Sequence, residues 1–240
     1  MHQTVCFQDL GKRSFQAVWD EQETLLKKNT DIKVLFRQDQ LGTTDPQAVP
    51  TQHHFLLVEH PPVYTLGKNG KAEHVLISTA DRLEKGIEFF HINRGGDITF
   101  HGPGQLVGYP ILDLEKFKTD LGWYLRSLEE VIILTLADYG LKGERSPGET
   151  GVWLDPHVKG KARKICAMGI KCSRWITMHG FALNINTDLS YFEHIVPCGI
   201  QGKAVASMHL ELGKALEVDE VKYKLKKNFE KVFAVQLKAL

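Results

Sequence analysis

The chain is predicted to be an α+β protein, on three observations. Apolar residues recur at helical spacing before, inside and after runs of short strands, without the one-for-one alternation of a doubly wound sheet. The 240 residues are 42% hydrophobic and 25% charged, ordinary values for a globular chain with a real core. Residues 1–240 show no internal repeat, low-complexity tract or composition break, so they are read as one domain.

The elements follow in order. Phe15, Val18, Trp19, Leu25 and Leu26 lie at helical spacing and predict an amphipathic helix over 14–28. Residues 38–54 are polar and turn-rich and read as an exposed surface loop. Phe55 to Val58 is a buried-strand pattern, broken by Pro61-Pro62. Strands are expected over 89–93 and 106–112, with a glycine-rich stretch between them. A helix covers 121–139, carries Tyr124, Leu125, Leu128 and Ile132, and stops at Gly140. Strands are expected over 151–154, 164–172 and 176–186. A last helix begins near Asp219 and buries Val221, Leu225, Phe229 and Phe233.

Charge and missing motifs exclude several functions. A net charge of +1 gives no whole-protein footprint for nucleic acid. No apolar run reaches the roughly 18 residues of a membrane span. Met1 to Lys12 has neither a signal-peptide core nor transit-peptide character. Four cysteines are too few for a disulfide scaffold, and none has zinc-ribbon spacing. A soluble, cytoplasmic, reducing setting is therefore expected, with no metal or cofactor. Gly67-Lys-Asn-Gly-Lys71 lacks the spacing of a phosphate loop, and HExxH and GxSxG are absent.

The densest chemistry is Arg94-Gly95-Gly96-Asp97-Ile98-Thr99-Phe100-His101-Gly-Pro-Gly-Gln105. So many glycines between two strands point to a backbone that approaches a ligand closely, and the stretch reads as a pocket wall. Cys198, in Pro197-Cys198-Gly199, is either an accessible nucleophile or a buried small hydrophobe, and the local sequence leaves both open. A thiol needs a basic neighbour. Lys164, opening an apolar strand, is one; His101, His179, His194 and His209 are rivals. Reference pKa values of about 10.4 for lysine and 8.5 for cysteine favour the ammonium–thiolate pair by about 2.6 kcal/mol before burial is counted.

Taken together, Phe7-Gln-Asp-Leu-Gly11, Glu59-His-Pro-Pro-Val-Tyr-Thr-Leu-Gly67, the Arg94–Gln105 stretch, Lys164-Ile-Cys-Ala-Met-Gly169, Met178-His-Gly-Phe-Ala-Leu-Asn184 and Pro197-Cys-Gly199 resemble the lipoyl(octanoyl) transferase family. The resemblance covers nearly the whole chain. It implies a catalytic domain like that of biotin and lipoate protein ligases, a mixed β-sheet flanked by helices. It also implies an ATP-independent acyltransferase, which moves an octanoyl group from acyl carrier protein to a lysine of a lipoyl domain. The acceptors it implies are the lipoyl domains of 2-oxoacid dehydrogenase complexes and the glycine cleavage H protein.

In that family the cysteine matching Cys198 carries the acyl group as a thioester, and the lysine matching Lys164 lowers its pKa. Substrate binding is implied for Arg94, Gly95, Gly96, Asp97, Ile98, Thr99, Phe100 and His101, for Ala167, Met168 and Gly169, and for Gly180, Phe181 and Ala182. A lipoyl amidotransferase and an ATP-dependent lipoate ligase are the alternatives.

Two departures stand out. Cys166 occupies a position where the family has a small residue, and strict strand alternation would turn it to the same face as Lys164. Segment 38–54 reads as an insertion. The basic turn Pro156–Arg163, with Lys159 and Lys161, is read either as a steering site for acidic carrier and lipoyl domains or as a solvated turn.

Overall fold

A computed structural model of the chain describes residues 3–39, 45–196 and 204–240. Two central strands of the sheet are buried along almost their whole length. β2 (His53–Glu59) and β6 (Gln105–Ile111) read as continuous apolar runs because both of their faces are covered. Around them lie β1 (Gln3–Lys12), β7 (Val152–Leu154), β8 (Arg163–Ser173), β9 (Ile176–Asn184), β10 (Ala204–Val205) and β11 (Val235–Ala239). The main sheet runs β10-β8-β9-β6-β2-β1-β11, with β7 pairing β8. It is mixed: β1 is parallel to β2 and β11, whereas β2–β6, β6–β9 and β8–β9 are antiparallel.

Alternate residues of β2 face opposite layers. Phe55 and Leu57 meet α3 (Leu121–Ala137) and α5 (Val218–Phe233) in the larger core, which holds Leu128, Ile132, Leu225 and Phe229. Leu56 and Val58 meet α1 (Phe15–Asp39) through Val18 and Leu26. The fold is therefore α+β, a mixed sheet with helices on both faces. α3 starts on Asp120, whose side chain accepts the Trp123 amide, and the chain leaves it through Gly140 at φ 76°.

A second sheet of three strands, β4 (Glu88–His91), β3 (Val63–Leu66) and β5 (Ile98–His101), packs Tyr64, Ile98 and Phe100 against Phe192 and Ile195. β5 lies inside the stretch read as a glycine-rich loop; the loop is half strand. Two short helices complete the described chain, α2 (Thr79–Glu84) and α4 (Met208–Leu212).

Other expectations are corrected as well. α1 continues eleven residues beyond the predicted end at Lys28, because its buried face also holds Asn29 and Lys33, each 1% exposed. Those polar residues break the apolar period. Segment 38–54 is not uniformly a surface loop. Val49, Thr51, His53 and His54 are buried, and the Thr51 hydroxyl donates to Asp113 Oδ2 at 2.8 Å. Residues 40–44 lie outside the described residues.

The β8–β9 hairpin turns through Arg174 (φ 50°) and Trp175 (φ 66°), both left-handed, as a two-residue turn between right-twisted strands requires. Neither is a glycine. Lys33 holds the turn from α1: its ammonium donates to the Arg174 carbonyl at 2.8 Å and pairs with Asp113 at 2.8 Å and Glu115 at 2.9 Å.

Candidate active site

The Arg94–His101 stretch is fixed by backbone before any ligand is considered. The amides of Gly67, Lys68 and Asn69 donate to the carbonyls of Asp97, Arg94 and Gly96. A Cβ on Gly67 would sit 2.4 Å from the Gly96 carbonyl oxygen, so only glycine allows this approach. The segment that lacked phosphate-loop spacing is thus a clamp on the pocket wall. Arg94 is 8% exposed and donates to Thr65 O (2.8 Å) and Thr65 Oγ1 (3.1 Å). Asp97 takes the Ile98 amide at 2.7 Å and is hydrogen-bonded to His74 Nδ1.

Between this wall, the β8–β9 hairpin and the start of α1 lies a partly open cavity with a mainly apolar lining. Of the residues singled out in sequence, Arg94, Gly96, Asp97, Ile98, Thr99 and His101 line it, as do Ala167, Met168 and Gly169, and Gly180, Phe181 and Ala182. Two others stand apart. Gly95 faces β8, its amide donating to Ile170 O at 2.9 Å. Phe100 turns into the small sheet's core and stacks on Tyr191, ring centroids 4.5 Å apart. Phe15, Ile92, Val107, Tyr109 and His179 complete the lining. They escaped notice because in sequence they look like ordinary core residues; His179 was weighed only as a partner for the thiol.

The histidines in and beside the cavity are pushed toward the neutral form. His101 is 7% exposed, donates from Nδ1 to Gln105 Oε1 at 2.8 Å, and lies parallel to the Phe15 ring. Burial, with His60 and Arg94 nearby, pushes its pKa down to about 3. Burial pushes His60 down to about 4; its Nδ1 donates to the Arg13 carbonyl and its Nε2 accepts from Tyr109 at 2.9 Å. His179 falls to about 3 through burial and then the charges of Arg94 and Lys171. His209 lies elsewhere, bonded to Ser207 and Ile185 O.

Lys164 sits at the other end. It lines a smaller cavity with Gln105, Asn184, Phe192 and Val205, and shares Thr99, Ala167 and Ala182 with the larger one. Its ammonium stands over the Trp153 ring, 4.6 Å from the centroid. Trp153 gave no functional signal in sequence. Beneath it, the fully buried carboxylate of Glu129 accepts Arg126, Arg145 and the Gly151 amide, which fixes the start of β7.

Strict alternation placed Cys166 on the same side as Lys164, and the structure overturns that. Trp153 pairs with Lys164 but Val152 pairs with Cys166, so β8 carries an extra residue. Ile165 and Cys166 consequently both enter the main core, while Lys164 and Ala167 both face the cavity. Burial raises the Cys166 thiol far above its ordinary value, against a weaker opposing effect of the Lys164 charge. It is a core residue.

Cys198 lies outside the described residues. Its described neighbours in sequence are anchored on both sides: Val196 donates to His74 O, and Ala206 donates to Lys164 O. Val205 is paired with Lys164 itself.

A model of the lipoyl protein ligase A/B catalytic domain matches residues 33–230. The octanoyltransferase of Christiangramia forsetii is 56% identical over 239 residues, 99% of each chain. The chain belongs to the lipoyl(octanoyl) transferase family. It is accordingly an acyltransferase. The octanoyltransferase of Flavobacterium johnsoniae is 52% identical, covering 99% of this chain and all of that one.

Solved structures of similar fold include a bi-partite lipoate protein ligase from Thermoplasma acidophilum (TM-score 0.68, 16% identity, 100% of this chain and 88% of that one). Another is a lipoate-protein ligase A bound with ATP (TM-score 0.67, 15% identity, 100% and 90%). At such identities the likeness is one of fold. Among the described residues, no helix of this transferase is long and apolar enough to cross a membrane.

Proposed function

We propose that the chain, acting as one catalytic domain, transfers an octanoyl group from acyl carrier protein to a lysine of lipoyl domains through a thioester on Cys198. The acceptors are the lipoyl domains of 2-oxoacid dehydrogenase complexes and the glycine cleavage H protein. One observation carries the reading: Lys164 stands where a largely apolar cavity meets a smaller one that Phe192 and Val205, either side of Cys198 in sequence, help to line.

The chemistry balances without nucleotide. The Cys198 thiol gives its proton to the Lys164 amine, and the thiolate attacks the thioester carbonyl of the carrier-bound octanoyl group. The tetrahedral oxyanion collapses, the C–S bond to the carrier breaks, and the leaving thiolate takes the proton from the Lys164 ammonium. The acceptor lysine's neutral amine then attacks the Cys198 thioester. An amide forms, the Cys198 thiolate leaves, and the proton from the attacking nitrogen passes to Lys164. Backbone amides of the glycine-rich segments stabilise both oxyanions. Thioester exchange is nearly balanced and amide formation is downhill, so no ATP is required.

The test is direct. Incubated with octanoyl-acyl carrier protein and no ATP, the protein should gain one octanoyl mass on the Cys198 peptide, and apo-lipoyl domain should then remove it. Cys198→Ala should gain none. Label on Cys166, or a requirement for ATP, would overturn the reading. Thioester formation from an octanoylated lipoyl domain, and not from the carrier, would favour an amidotransferase.

A further inference from the structure

The far end of the acyl cavity has an unusual residue. His179 lies inside β9, yet its φ is 61°, a left-handed conformation rare for a side-chain-bearing residue in a strand. It is 2% exposed, its amide donates to Gln22 Oε1, and its Nε2 has no hydrogen-bond partner among the described residues. Gln22 Nε2 beside it is also unpartnered there. Strain and polar nitrogen atoms thus meet at one end of a mostly apolar space.

The dimensions give that end a meaning. The reactive end is marked by Thr99, Ala167 and Ala182, which border Lys164's cavity as well. From Ala182 to His179 is three residues of strand, about 10 Å at roughly 3.4 Å per residue. An extended chain advances about 1.2 Å per bond, so the seven C–C bonds of an octanoyl group span about 8 to 9 Å. Phe15, 1% exposed, and Ile92, 7% exposed, line the same space. A chain two carbons longer would run roughly 2.4 Å further by the same advance per bond. Its methyl group would press into the Phe15 ring and against the His179 imidazole.

We propose that His179, with Phe15 and Ile92, is the stop that limits the acyl group to about eight carbons. The proposal rests on the octanoyl-transfer reading and adds the origin of its chain-length selectivity. The left-handed backbone is what turns the imidazole across the end of the cavity, away from the ordinary strand alternation.

The experiment compares kcat/KM for hexanoyl-, octanoyl-, decanoyl- and dodecanoyl-carrier protein in the wild type, His179→Gly and Phe15→Ala. Glycine accepts φ 61° without strain, so the first variant keeps the fold while opening the end. The decanoyl-to-octanoyl ratio should rise at least tenfold in His179→Gly and rise also in Phe15→Ala. An unchanged ratio in both variants, with their circular dichroism native, overturns the stop. A rise confined to Phe15→Ala overturns the role of His179. Wild type that accepts none of the four acyl groups overturns the transfer reading instead.

Discussion

A lysine side chain that ends over an indole face is held there by cation–π attraction. Lys164 over Trp153 at 4.6 Å is such a pair, and the proposed cycle needs both protonation states of that lysine. Trp153→Leu should slow acylation of Cys198 about tenfold, the effect of losing roughly 1.4 kcal/mol of cation–π attraction, whereas Trp153→Phe should stay within about threefold. Rapid-quench measurement of acyl-enzyme formation checks this, and equal losses in the two variants would show that the ring acts only as packing. At this scale the lysine was legible in sequence because a charge opening an apolar strand is anomalous. Trp153 was not, since an aromatic residue in a strand is what any core requires. Nor was the inward turn of Cys166, because one extra residue in β8 inverts the face that strict alternation assigns.

The β8–β9 hairpin supplies one wall of the acyl cavity, and its turn is built from Arg174 and Trp175 in left-handed conformation. The pull that maintains it comes from Lys33, 1% exposed, which binds the Arg174 carbonyl together with the Asp113 and Glu115 carboxylates. Removing one member of such a buried set leaves charge uncompensated. Lys33→Met should therefore lose about 3 kcal/mol of unfolding free energy, read from urea denaturation, with octanoyl affinity weakened because the hairpin loosens. A loss below about 1 kcal/mol would mean that the lysine is dispensable to the turn. α3 and α5 were legible because their apolar period is uninterrupted. α1 was read too short for the opposite reason: Gln22, Asn29 and Lys33 are polar and fully buried. β5 was hidden among glycines that serve the turns on either side of it.

Among the described residues, five buried histidines have lowered pKa values: His53 and His60 to about 4, His101 and His179 to about 3, and His54 as well, burial being the main cause each time. Their folded values lie below the unfolded value near 6.5, so the unfolded chain binds more protons as pH falls. The stability present above pH 6.5 is lost between about 6.5 and 3. Moving from pH 7.5 to 5.5 should cost roughly 1 kcal/mol per histidine, seen as a falling urea midpoint, with a smaller fall in His60→Gln. A flat midpoint over that range would show that these rings are charged in the folded state. The α+β class and the mixed sheet were legible from element order. The pairing of β1 with β2 and β11 was not, since strand order is set by contacts between residues far apart in sequence.

That pairing places Gln3 beside Val235 and Phe7 beside Ala239. During synthesis on the ribosome, β1 emerges long before its partner β11. Until then one rim of the main sheet presents unpaired amides and carbonyls. The finished rim is thus a matter of timing: the growing chain must be kept from pairing with its neighbours from the emergence of β1 to that of β11, which ends that exposure.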